Sequence, residues 1–388
     1  MVATVSLQEA GDRTWDMIVV GAGPAGAIAA RQLAQLGRRV LLVDRRQFPR
    51  DKVCGCCVGP QAQLVLREVG LEELLIRLGA QRYGAFRLYS RGRSAILELP
   101  DGFAVTRSAF DLALIESAVE QGAHFLPGTL ATAGEFHDDA RVVGLRNSME
   151  ECAATSRVVI AADGLGGKLL ARNPETRYET WRHSRMGAGT VMADGADAFA
   201  AGTIHMAVSK GGYVGIVRAE QQQLAIAAAM DAQFVRHHGD VSSAVESILS
   251  DNKLVPLKGF HQAHWRGTGR LTCRPSCSSS PGLFTIGDAA GYIEPFTGEG
   301  MGWAMRSAVL VAPFAEEALR GWSEELARRW LASHRHALRN RQRSCFRLAR
   351  ALRYPWLVHN AIRALSRFPI LARPIVRQLQ APAEKVYT

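Results

Sequence analysis

The spacing of hydrophobic positions changes twice within the first 44 residues of the chain. Residues 17–20 are a short apolar run, which predicts a buried strand. A helical pattern follows through Leu36, and Gly37 is placed to end it. Residues 39–43 predict a second strand that closes on Asp44. The order strand, helix, strand is typical of an α/β fold with a mainly parallel sheet.

The middle of the chain has a different pattern. Residues 81–100 and 173–267 contain short stretches of alternating apolar and polar residues, separated by polar or Gly-containing turns. This alternation predicts a mostly antiparallel sheet.

From about Glu324 the pattern becomes helical and strongly basic. An apolar residue recurs every seven positions, at Leu331, Leu338, Cys345 and Leu352. The same stretch carries a basic stripe formed by Arg339, Arg343, Arg347 and Arg350. Breaks into short helices are then predicted at Pro355, Pro369 and Pro374.

Composition changes this picture through the distribution of charge. The 388 residues are 47% hydrophobic and 21% charged, as in a globular protein of two or three domains. The formal net charge is +11, and residues 322–388, with 14 Lys and Arg against 3 Asp and Glu, carry all of it. Three interpretations of this tail stay open: a helical cap with solvated arginines, docking to an anionic membrane surface, and docking to an acidic carrier protein. No nucleic-acid-binding motif accompanies the charge, so nucleic acid is not a predicted partner.

The start of the chain and its cysteines bear on location. Residues 1–16 lack a basic segment followed by an apolar one, so no signal peptide is predicted. No apolar run reaches the roughly 18 residues that a membrane span needs. Seven cysteines without a secretion signal favour a reducing compartment. We therefore expect a cytoplasmic protein, which docking to lipid would place on the inner membrane surface.

Three glycines between the first strand and its helix carry a strong chemical signal. In the spacing G-x-G-x-x-G, Gly21 permits a tight turn, Gly23 lets the backbone approach a pyrophosphate, and Gly26 lets the helix pack close to the sheet. The helix N-terminus then presents unpaired N–H groups to the phosphates. Asp44, eighteen residues after Gly26, can accept hydrogen bonds from an adenosine ribose. This arrangement predicts a site for FAD or NAD rather than NADP.

Two later motifs favour FAD. The stretch VVIAADGLGGK (158–168) is an apolar strand that ends in Asp163-Gly164. The stretch LFTIGDAAGYIEPFTGEGMGWAMR (283–306) is a strand that ends in Gly287-Asp288, followed by a glycine-rich entry to a helix. With the first motif, this set resembles the FAD-dependent oxidoreductases of the p-hydroxybenzoate hydroxylase and geranylgeranyl reductase superfamily. The resemblance covers residues 14–320.

The resemblance implies a domain organisation. Its FAD-binding domain is Rossmann-type, with three layers and a mainly parallel sheet, and is interleaved with the antiparallel substrate domain that roofs the flavin. Here the FAD-binding domain corresponds to residues 14–80, 101–172 and 268–320, and the substrate domain to 81–100 and 173–267. His205 and Tyr213 are candidate pocket residues of that substrate domain. Residues 321–388 then form a basic helical C-terminal region.

The resemblance also implies residue roles. Asp288 matches the aspartate that binds the ribityl chain, and Arg107 matches an arginine that reaches the FAD phosphates. Residues 295–301 match the segment along the isoalloxazine ring, where a helix N-terminus stabilises negative charge on the reduced flavin. The predicted cofactor-binding residues are Gly21, Gly23, Pro24, Ala25, Gly26, Asp44, Arg45, Cys54, Gly55, Arg107, Asp163, Gly164, Gly287, Asp288, Pro295, Gly298, Gly300 and Met301.

Three cysteines fall in the segment DKVCGCCVGP, where the geranylgeranyl reductase branch often has K-x-C-G along the flavin. Cys54 fits that pattern, while Cys56 and Cys57 are left as plain buried thiols, as redox partners of the flavin, or as covalent attachment points. We take Cys56, Cys57 and Glu294 as candidate catalytic residues. No metal site is predicted: the only other close cysteine pair, Cys273 and Cys277, lies far along the chain, and His261-x-x-His264 has neither a helix nor a third ligand to support it.

The resemblance leaves three activities open. The first is a monooxygenase that takes hydride from NAD(P)H and, through a flavin hydroperoxide, hydroxylates a lipophilic or aromatic (polyketide- or isoprenoid-like) small molecule. The second is a flavin-dependent reductase of C=C bonds in a prenyl or polyketide chain, which K-x-C-G favours and the lack of a Tyr-x-Trp-x-Phe-Pro signature opposes. The third is a lipid-escort protein that has lost the flavin, which the intact glycines, Asp44 and Asp288 oppose. Frequency within the superfamily places the monooxygenase first.

Overall fold

A computed structural model describes most of the chain, and its elements follow in chain order. The described residues are 1–167, 169, 178–193, 198–254, 258–294 and 296–372. The strands are β1 (Thr14–Val20), β2 (Val40–Val43), β3 (Cys57–Val58), β4 (Gln81–Ser90), β5 (Arg93–Ala104), β6 (His124–Leu126), β7 (Leu130–His137), β8 (Ala140–Arg146), β9 (Glu151–Ala161), β10 (Tyr178–Thr180), β11 (Met186–Met192), β12 (Thr203–Ser209), β13 (Gly212–Arg218), β14 (Leu224–Met230), β15 (Arg266–Arg270), β16 (Cys273–Pro275), β17 (Ser279–Ser280) and β18 (Leu283–Thr285). The helices are α1 (Leu7–Asp12), α2 (Pro24–Gln35), α3 (Pro60–Glu68), α4 (Leu74–Arg77), α5 (Arg107–Glu120), α6 (Ala232–His237), α7 (Val241–Asp251), α8 (Gly300–Ala318), α9 (Glu324–Ala351) and α10 (Pro355–Arg367), with 3-10 turns at Glu220–Gln222, Gly287–Ala290 and Pro369–Ala372.

The first sheet has a parallel core. Its strands follow the order β17-β18-β9-β1-β2-β6, and the four pairings from β18 to β6 are parallel. Every residue of β2 is buried, as expected of a strand that is covered on both faces. Helices α2, α5 and α8 cover one face, and α1 with the β7–β8 hairpin covers the other. The predicted three-layer, Rossmann-type architecture is confirmed.

The second sheet is almost wholly antiparallel. Its order is β15-β11-β14-β13-β12-β4-β5-β3, and only the β12–β4 pairing among these is parallel. This confirms the second sheet that the alternating pattern predicts. Strand β5 continues to Ala104, and β3 pairs with its end, so the cysteine segment runs into the edge of this sheet. The exact domain boundaries stay predictions.

Two helices follow at the C-terminal end: α9 packs on α8 and β17 and reaches the core of the second sheet only near its end, through Leu348 and Leu352, whereas α10 lies on the second sheet. Helix α9 begins after Ser323, whose side chain accepts a hydrogen bond from the Leu326 N–H at 3.1 Å. Helix α10 begins at Pro355 and packs on β4 and β5, and a 3-10 turn begins at Pro369. The predicted helix and the breaks at Pro355 and Pro369 are confirmed, whereas Pro374 lies outside the described residues. Among the described helices, none combines the length and the apolar composition that crossing a membrane requires.

Candidate functional site

The turn between β1 and α2 leaves room for a ligand at one glycine and for no side chain at two others. Gly21 has φ +104°, and a Cβ there would lie 2.3 Å from the carbonyl oxygen of Ala162. A Cβ on Gly26 would lie 1.8 Å from the carbonyl oxygen of Gly21. At Gly23 the nearest atom to such a Cβ is Nη2 of Arg107, at 3.5 Å. The backbone at Gly23 is therefore open, which fits the approach of a pyrophosphate. It faces a space that we call the groove, lined by Gly23, Pro24, Ala25, Lys52, Cys54, Arg107, Gly164, Asp288, Gly298, Gly300 and Met301 among others.

The carboxylate of Asp44 lies beside this turn, at the end of β2. Its Oδ2 accepts a hydrogen bond from the Ala22 N–H at 2.8 Å, and its Oδ1 accepts one from the Arg46 N–H at 2.9 Å. Arg50 approaches the same carboxylate at 3.8 Å. These contacts fix the orientation of Asp44 while each oxygen keeps a lone pair for a ribose hydroxyl. Arg45, the next residue, is exposed.

Two guanidinium groups meet a buried carboxylate next to Gly23. Arg107, the first residue of α5, donates from Nε and Nη2 to the two oxygens of Asp111, both at 2.7 Å. Arg50 lies 3.1 Å from the same carboxylate. Burial alone lowers the pKa of Arg107, but Asp111 and the Cys54 thiolate outweigh it and raise that pKa overall. Nη2 of Arg107 and Nη2 of Arg50 lie 3.5 Å and 3.9 Å from the position of a Cβ on Gly23, so both guanidinium groups are close enough to donate to a diphosphate there.

Sequence reasoning predicted Arg107 in this cluster but missed Arg50 and Asp111. The spacing of four residues between Arg107 and Asp111 on a helix was an available signal, because such residues lie on one face. Arg50 follows β2 in a loop, where no periodicity predicts its direction.

Lys52 and Asp288, both half-buried, line the same groove. Burial lowers the pKa of Lys52, and the nearby Arg107 lowers it further. Burial raises the pKa of Asp288, against the opposing effect of Lys52 and Arg107. Gly287, with φ +60°, fixes the turn before Asp288, and its N–H donates to the Ser307 hydroxyl at 2.7 Å. Hydroxyl groups of a ribityl chain fit between such an acceptor and such a donor.

The Asp163-Gly164 motif lies at the same groove. The Oδ2 atom of Asp163 accepts a hydrogen bond from the Leu169 N–H at 2.8 Å, so this carboxylate orders the loop that follows β9. Gly164 has φ +81° and lines the groove, and a Cβ there would lie 3.1 Å from Nζ of Lys52. Because Gly164 has no side chain, the ammonium group of Lys52 has room in the groove.

The start of α8 points into the groove. Gly298, Gly300 and Met301 line it, and Gly298 has φ +76°. Glu299 accepts hydrogen bonds from the Thr297 hydroxyl at 2.9 Å and from Arg341 of α9 at 2.6 Å. Unpaired N–H groups at this helix start can stabilise negative charge on a ring bound there. Pro295, predicted beside them, lies outside the described residues.

The three clustered thiols differ strongly. The pKa of Cys54 is lowered to about 6, mainly by a side-chain hydrogen bond from Cys56 and with help from Arg107, against the effect of burial. The same hydrogen bond, together with burial, raises the pKa of Cys56 well above its usual value. Burial raises that of Cys57, whose thiol donates to the carbonyl oxygen of Gly55 at 3.1 Å. The lowered pKa favours Cys54 as the reactive thiol, while the candidate catalytic roles of Cys56 and Cys57 stay predictions.

A second cavity, of about 290 Å³, lies between the antiparallel sheet and the C-terminal helices. Its walls are almost entirely aliphatic and aromatic. The sheet contributes Phe86, Leu88, Leu97, Ile204 and Met206, and the helices contribute Leu348, Leu352, Leu357, Val358, Ala361 and Leu365. It adjoins the groove, since both spaces are lined by Lys52, Cys54, Gly55, Cys57, Asp288, Tyr292 and Gly298. A lipophilic molecule in this cavity would therefore reach the edge of a cofactor in the groove.

An aromatic cluster lies at one side of the cavity. The ring of Phe296 packs edge-on against Tyr213 at 5.1 Å and against Phe86 at 5.9 Å between ring centroids. Tyr213 thus lies in the pocket for which it was a candidate.

His205 lies on the opposite face of the sheet. Its Nδ1 is 2.8 Å from the hydroxyl of Tyr89, and its ring packs against Phe199 at 5.0 Å. The cavity is lined instead by the neighbours of His205 on β12, Ile204 and Met206, because successive side chains of a strand point to opposite faces. The expectation that His205 lines the pocket is corrected.

Glu294 is likewise turned away from both spaces. Its Oε1 accepts from Nη1 of Arg185 at 3.0 Å, and both side chains are buried. Neither the groove nor the cavity is lined by Glu294. A carboxylate so enclosed does not reach a reacting atom, so a catalytic role for Glu294 is not supported. Within the part of the chain that is described, no group of His, Cys, Asp and Glu could hold a metal ion.

Comparison with known proteins gives a consistent result. The FAD binding domain family matches residues 14–338. Menaquinone reductase of Mycobacterium tuberculosis is 28% identical over 349 residues, covering 82% of this chain and 79% of that protein. A digeranylgeranylglycerophospholipid reductase of Thermoplasma volcanium is 25% identical, covering 79% of each chain.

Solved structures share the fold. The flavin-dependent brominase Bmp2 superposes with a TM-score of 0.75 at 17% identity, over 95% of this chain and 94% of that one. PqsL, a probable FAD-dependent monooxygenase of Pseudomonas aeruginosa, superposes with a TM-score of 0.67 at 18% identity, over 90% and 99% of the two chains. At these identities the likeness extends to the fold alone.

Proposed function

This chain belongs to the FAD binding domain family of FAD-dependent oxidoreductases, and from that premise we propose that it reduces C=C bonds in the apolar chain of a lipophilic molecule. The observation that carries the proposal is the apolar cavity that adjoins the cofactor groove along Cys54, Cys57 and Tyr292. A cavity with this lining gains free energy by burying hydrocarbon, at about 25 cal/mol per Å². It offers few polar partners by which a small hydrophilic substrate would be held.

The proteins that are similar in sequence support a reductase as the first candidate. Both the mycobacterial and the archaeal protein named above are reductases by name, and both names denote molecules with long lipid chains. The halogenating and hydroxylating neighbours share the fold only, at 17–18% identity. These names support proposing a reductase first, although superfamily frequency favours a monooxygenase.

The residues of this chain divide the work between holding the cofactor and handling the substrate. Bound and reduced FAD supplies a hydride equivalent. Gly23, Arg50 and Arg107 bind the phosphates, and Lys52 and Asp288 orient the ribityl end. The apolar walls keep water from the reacting atoms, which favours transfer to the substrate over side reactions.

Cys54 is suited to exchange a proton at this junction. Cys54 lines both spaces, and a pKa of about 6 lets its thiol hold and release a proton near neutral pH. Reduction of a C=C bond consumes one hydride and one proton. We assign the proton on the cavity side to Cys54 Sγ, while NAD(P)H is proposed as the source of electrons.

The test is the mass of the product. The FAD-loaded protein is reduced with dithionite under nitrogen and mixed with a geranylgeranyl-substituted lipid that has no quinone ring, because dithionite would reduce such a ring directly. We expect a product heavier by two hydrogens per reduced bond and the return of oxidised flavin. Turnover that requires oxygen and adds one oxygen atom would instead establish hydroxylation, and a substrate recovered unchanged under both conditions would refute both activities.

Hydroxylation of an aromatic ring is the second candidate. The cluster of Phe86, Tyr213 and Phe296 favours it, because such a cluster can pack on a ring-shaped head group while a hydrocarbon tail fills the rest of the cavity. An alkyl-substituted phenol tested in air, with NADH or NADPH, checks this candidate separately.

A further inference from the structure

The C-terminal end of the described chain exposes a cluster of large apolar side chains. Each of these side chains is more than half exposed, although such residues are normally buried. They lie at the two ends of α10 and in the 3-10 turn that follows it. We call them the apolar rim: Tyr354, Trp356, Phe368, Ile370 and Leu371.

The apolar rim is continuous with the mouth of the cavity. Leu357 and Ala361 are exposed to solvent and also line the cavity, so the cavity reaches the surface along α10. On the inner side of the same helix, Val358 and Ile362 are buried in the core beneath the sheet. Helix α10 therefore carries apolar side chains on both its inner and its outer face, with the mouth between them.

The stretch of chain that carries the rim is strongly basic. Residues 326–372 contain eleven arginines and no Asp or Glu. Four of these arginines are exposed near the rim and have no ion pair among the described residues. They are Arg347, Arg350, Arg363 and Arg367. Guanidinium groups around an apolar patch complement a surface that is anionic outside and hydrocarbon inside.

We propose that the apolar rim inserts into an anionic lipid bilayer and that the lipophilic substrate enters the cavity from the bilayer along α10. The arginines contact lipid phosphates, while the Trp356 and Phe368 side chains lie at the level of the head groups and upper acyl chains. The entry route rests on the proposed lipophilic substrate, but the docking does not.

A bilayer explains both halves of this surface. An acidic carrier protein would complement the arginines, yet it would leave the protruding aromatic and aliphatic side chains at a charged contact, where they gain little. A neutral apolar partner would cover the rim but leave the arginines without counter-charge. A bilayer of anionic lipid offers both environments, separated by a few ångströms of depth.

The experiment is flotation of the FAD-loaded full-length protein with lipid vesicles. One set of vesicles is phosphatidylcholine alone, and the other contains phosphatidylglycerol as well. We expect flotation with the anionic vesicles. Salt at 0.5 M, where the Debye length is about 4 Å, should reduce flotation but not abolish it, because the apolar part of binding is not screened. Lipids brominated on the acyl chain should quench the fluorescence of the wild-type protein more than that of the Trp356→Phe variant.

Matched variants separate the two contributions. Trp356→Ala with Phe368→Ala should lower the partition coefficient roughly tenfold, and Arg363→Gln with Arg367→Gln roughly fivefold for each charge. Ile76→Ala and Arg77→Gln, on the exposed surface of α4, are the controls and should float like the wild type. The flavin absorption spectrum checks that every variant is folded.

Three results would overturn the proposal. These are no flotation with anionic vesicles, equal flotation of the wild type and the apolar-rim variants, and flotation that salt abolishes completely. The last two would also point to a purely charged contact, as an acidic protein makes. Reduction of a detergent-dispersed substrate without vesicle binding would leave the proposed activity standing, and vesicle binding without activity would leave the docking standing.

Discussion

The backbone N–H of Cys56 donates to Sγ of Cys54 at 3.4 Å. The pKa of the Cys54 thiol is lowered, whereas that of the Cys56 thiol is raised. Cys56 has φ +55°, a left-handed conformation that folds the loop back on itself. As a result Cys54 lies at the junction of the groove and the cavity, whereas neither space is lined by Cys56. The left-handed turn at Cys56 thus determines that Cys54, and not Cys56, faces the groove and the cavity.

Alkylation should identify Cys54 as the reactive thiol. Because its pKa is lowered to about 6, it ionises at a lower pH than an ordinary thiol, whose pKa is about 8.5. In protein stripped of FAD, the rate of iodoacetamide labelling should rise as the pH increases through 6 and level off above about 7. Mass spectrometry of labelled peptides measures this rate for each cysteine.

Two variants test the cause of that acidity. Cys56→Ala removes the side chain that contributes most to lowering the pKa of Cys54 and keeps the backbone N–H that donates to Cys54 Sγ, so the midpoint of the labelling profile should move to higher pH. Cys152→Ala changes a thiol outside the site and should leave the profile unaltered. Fast labelling at Cys57 instead of Cys54 would contradict the assignment.

Substitutions at two glycines should separate cofactor binding from folding. Gly23→Ala places a methyl group in the open space of the groove, so we expect the Kd for FAD to rise roughly ten- to a hundredfold with little change in Tm of the FAD-free protein. Gly26→Ala forces a Cβ onto the carbonyl oxygen of Gly21 and should cost about 3 kcal/mol of stability or more. Fluorescence titration with FAD and thermal melting measure the two effects. Tight FAD binding by the Gly23→Ala protein would contradict the predicted pyrophosphate position.

The buried pair of Arg185 and Glu294 should affect stability more than chemistry. Glu294→Ala leaves a buried guanidinium without its counter-charge and should lower the free energy of unfolding by about 3–5 kcal/mol. The double variant Arg185→Met with Glu294→Leu should recover part of that loss, because no isolated charge remains. Urea denaturation followed by circular dichroism measures both. A Glu294→Ala protein of wild-type stability that had lost turnover would restore the catalytic role.

Substitutions at the neighbouring residues His205 and Met206 of β12 should affect different properties, stability at the first and KM at the second. Met206→Trp fills part of the cavity, so KM for a long-chain substrate should rise roughly tenfold. His205→Phe leaves the Tyr89 hydroxyl without its partner on the far face, which should cost about 1–3 kcal/mol of stability with KM unchanged. Steady-state kinetics and thermal melting distinguish the two outcomes. A raised KM in the His205→Phe protein would place His205 back at the pocket.

The sequence by itself determined the architecture and the cofactor groove. The glycine spacing at 21–26, the acid at Asp44 and the Gly287-Asp288 turn are local features, and each requires a particular backbone conformation regardless of what packs around it. The apolar runs of β1 and β2 and the heptad spacing of α9 likewise depend on periodicity alone.

Only the tertiary structure decided which side chains face the reaction. On β12 every residue after Thr203 is buried, so alternation of polarity carried no signal about which face is the pocket, and His205 was placed on the wrong one. Arg50 and Asp111 come from a loop and a helix 61 residues apart, and Glu294 is neutralised by Arg185 from 109 residues away. Such encounters between distant segments are set by the packing of the two sheets and the C-terminal helices, which no local pattern encodes.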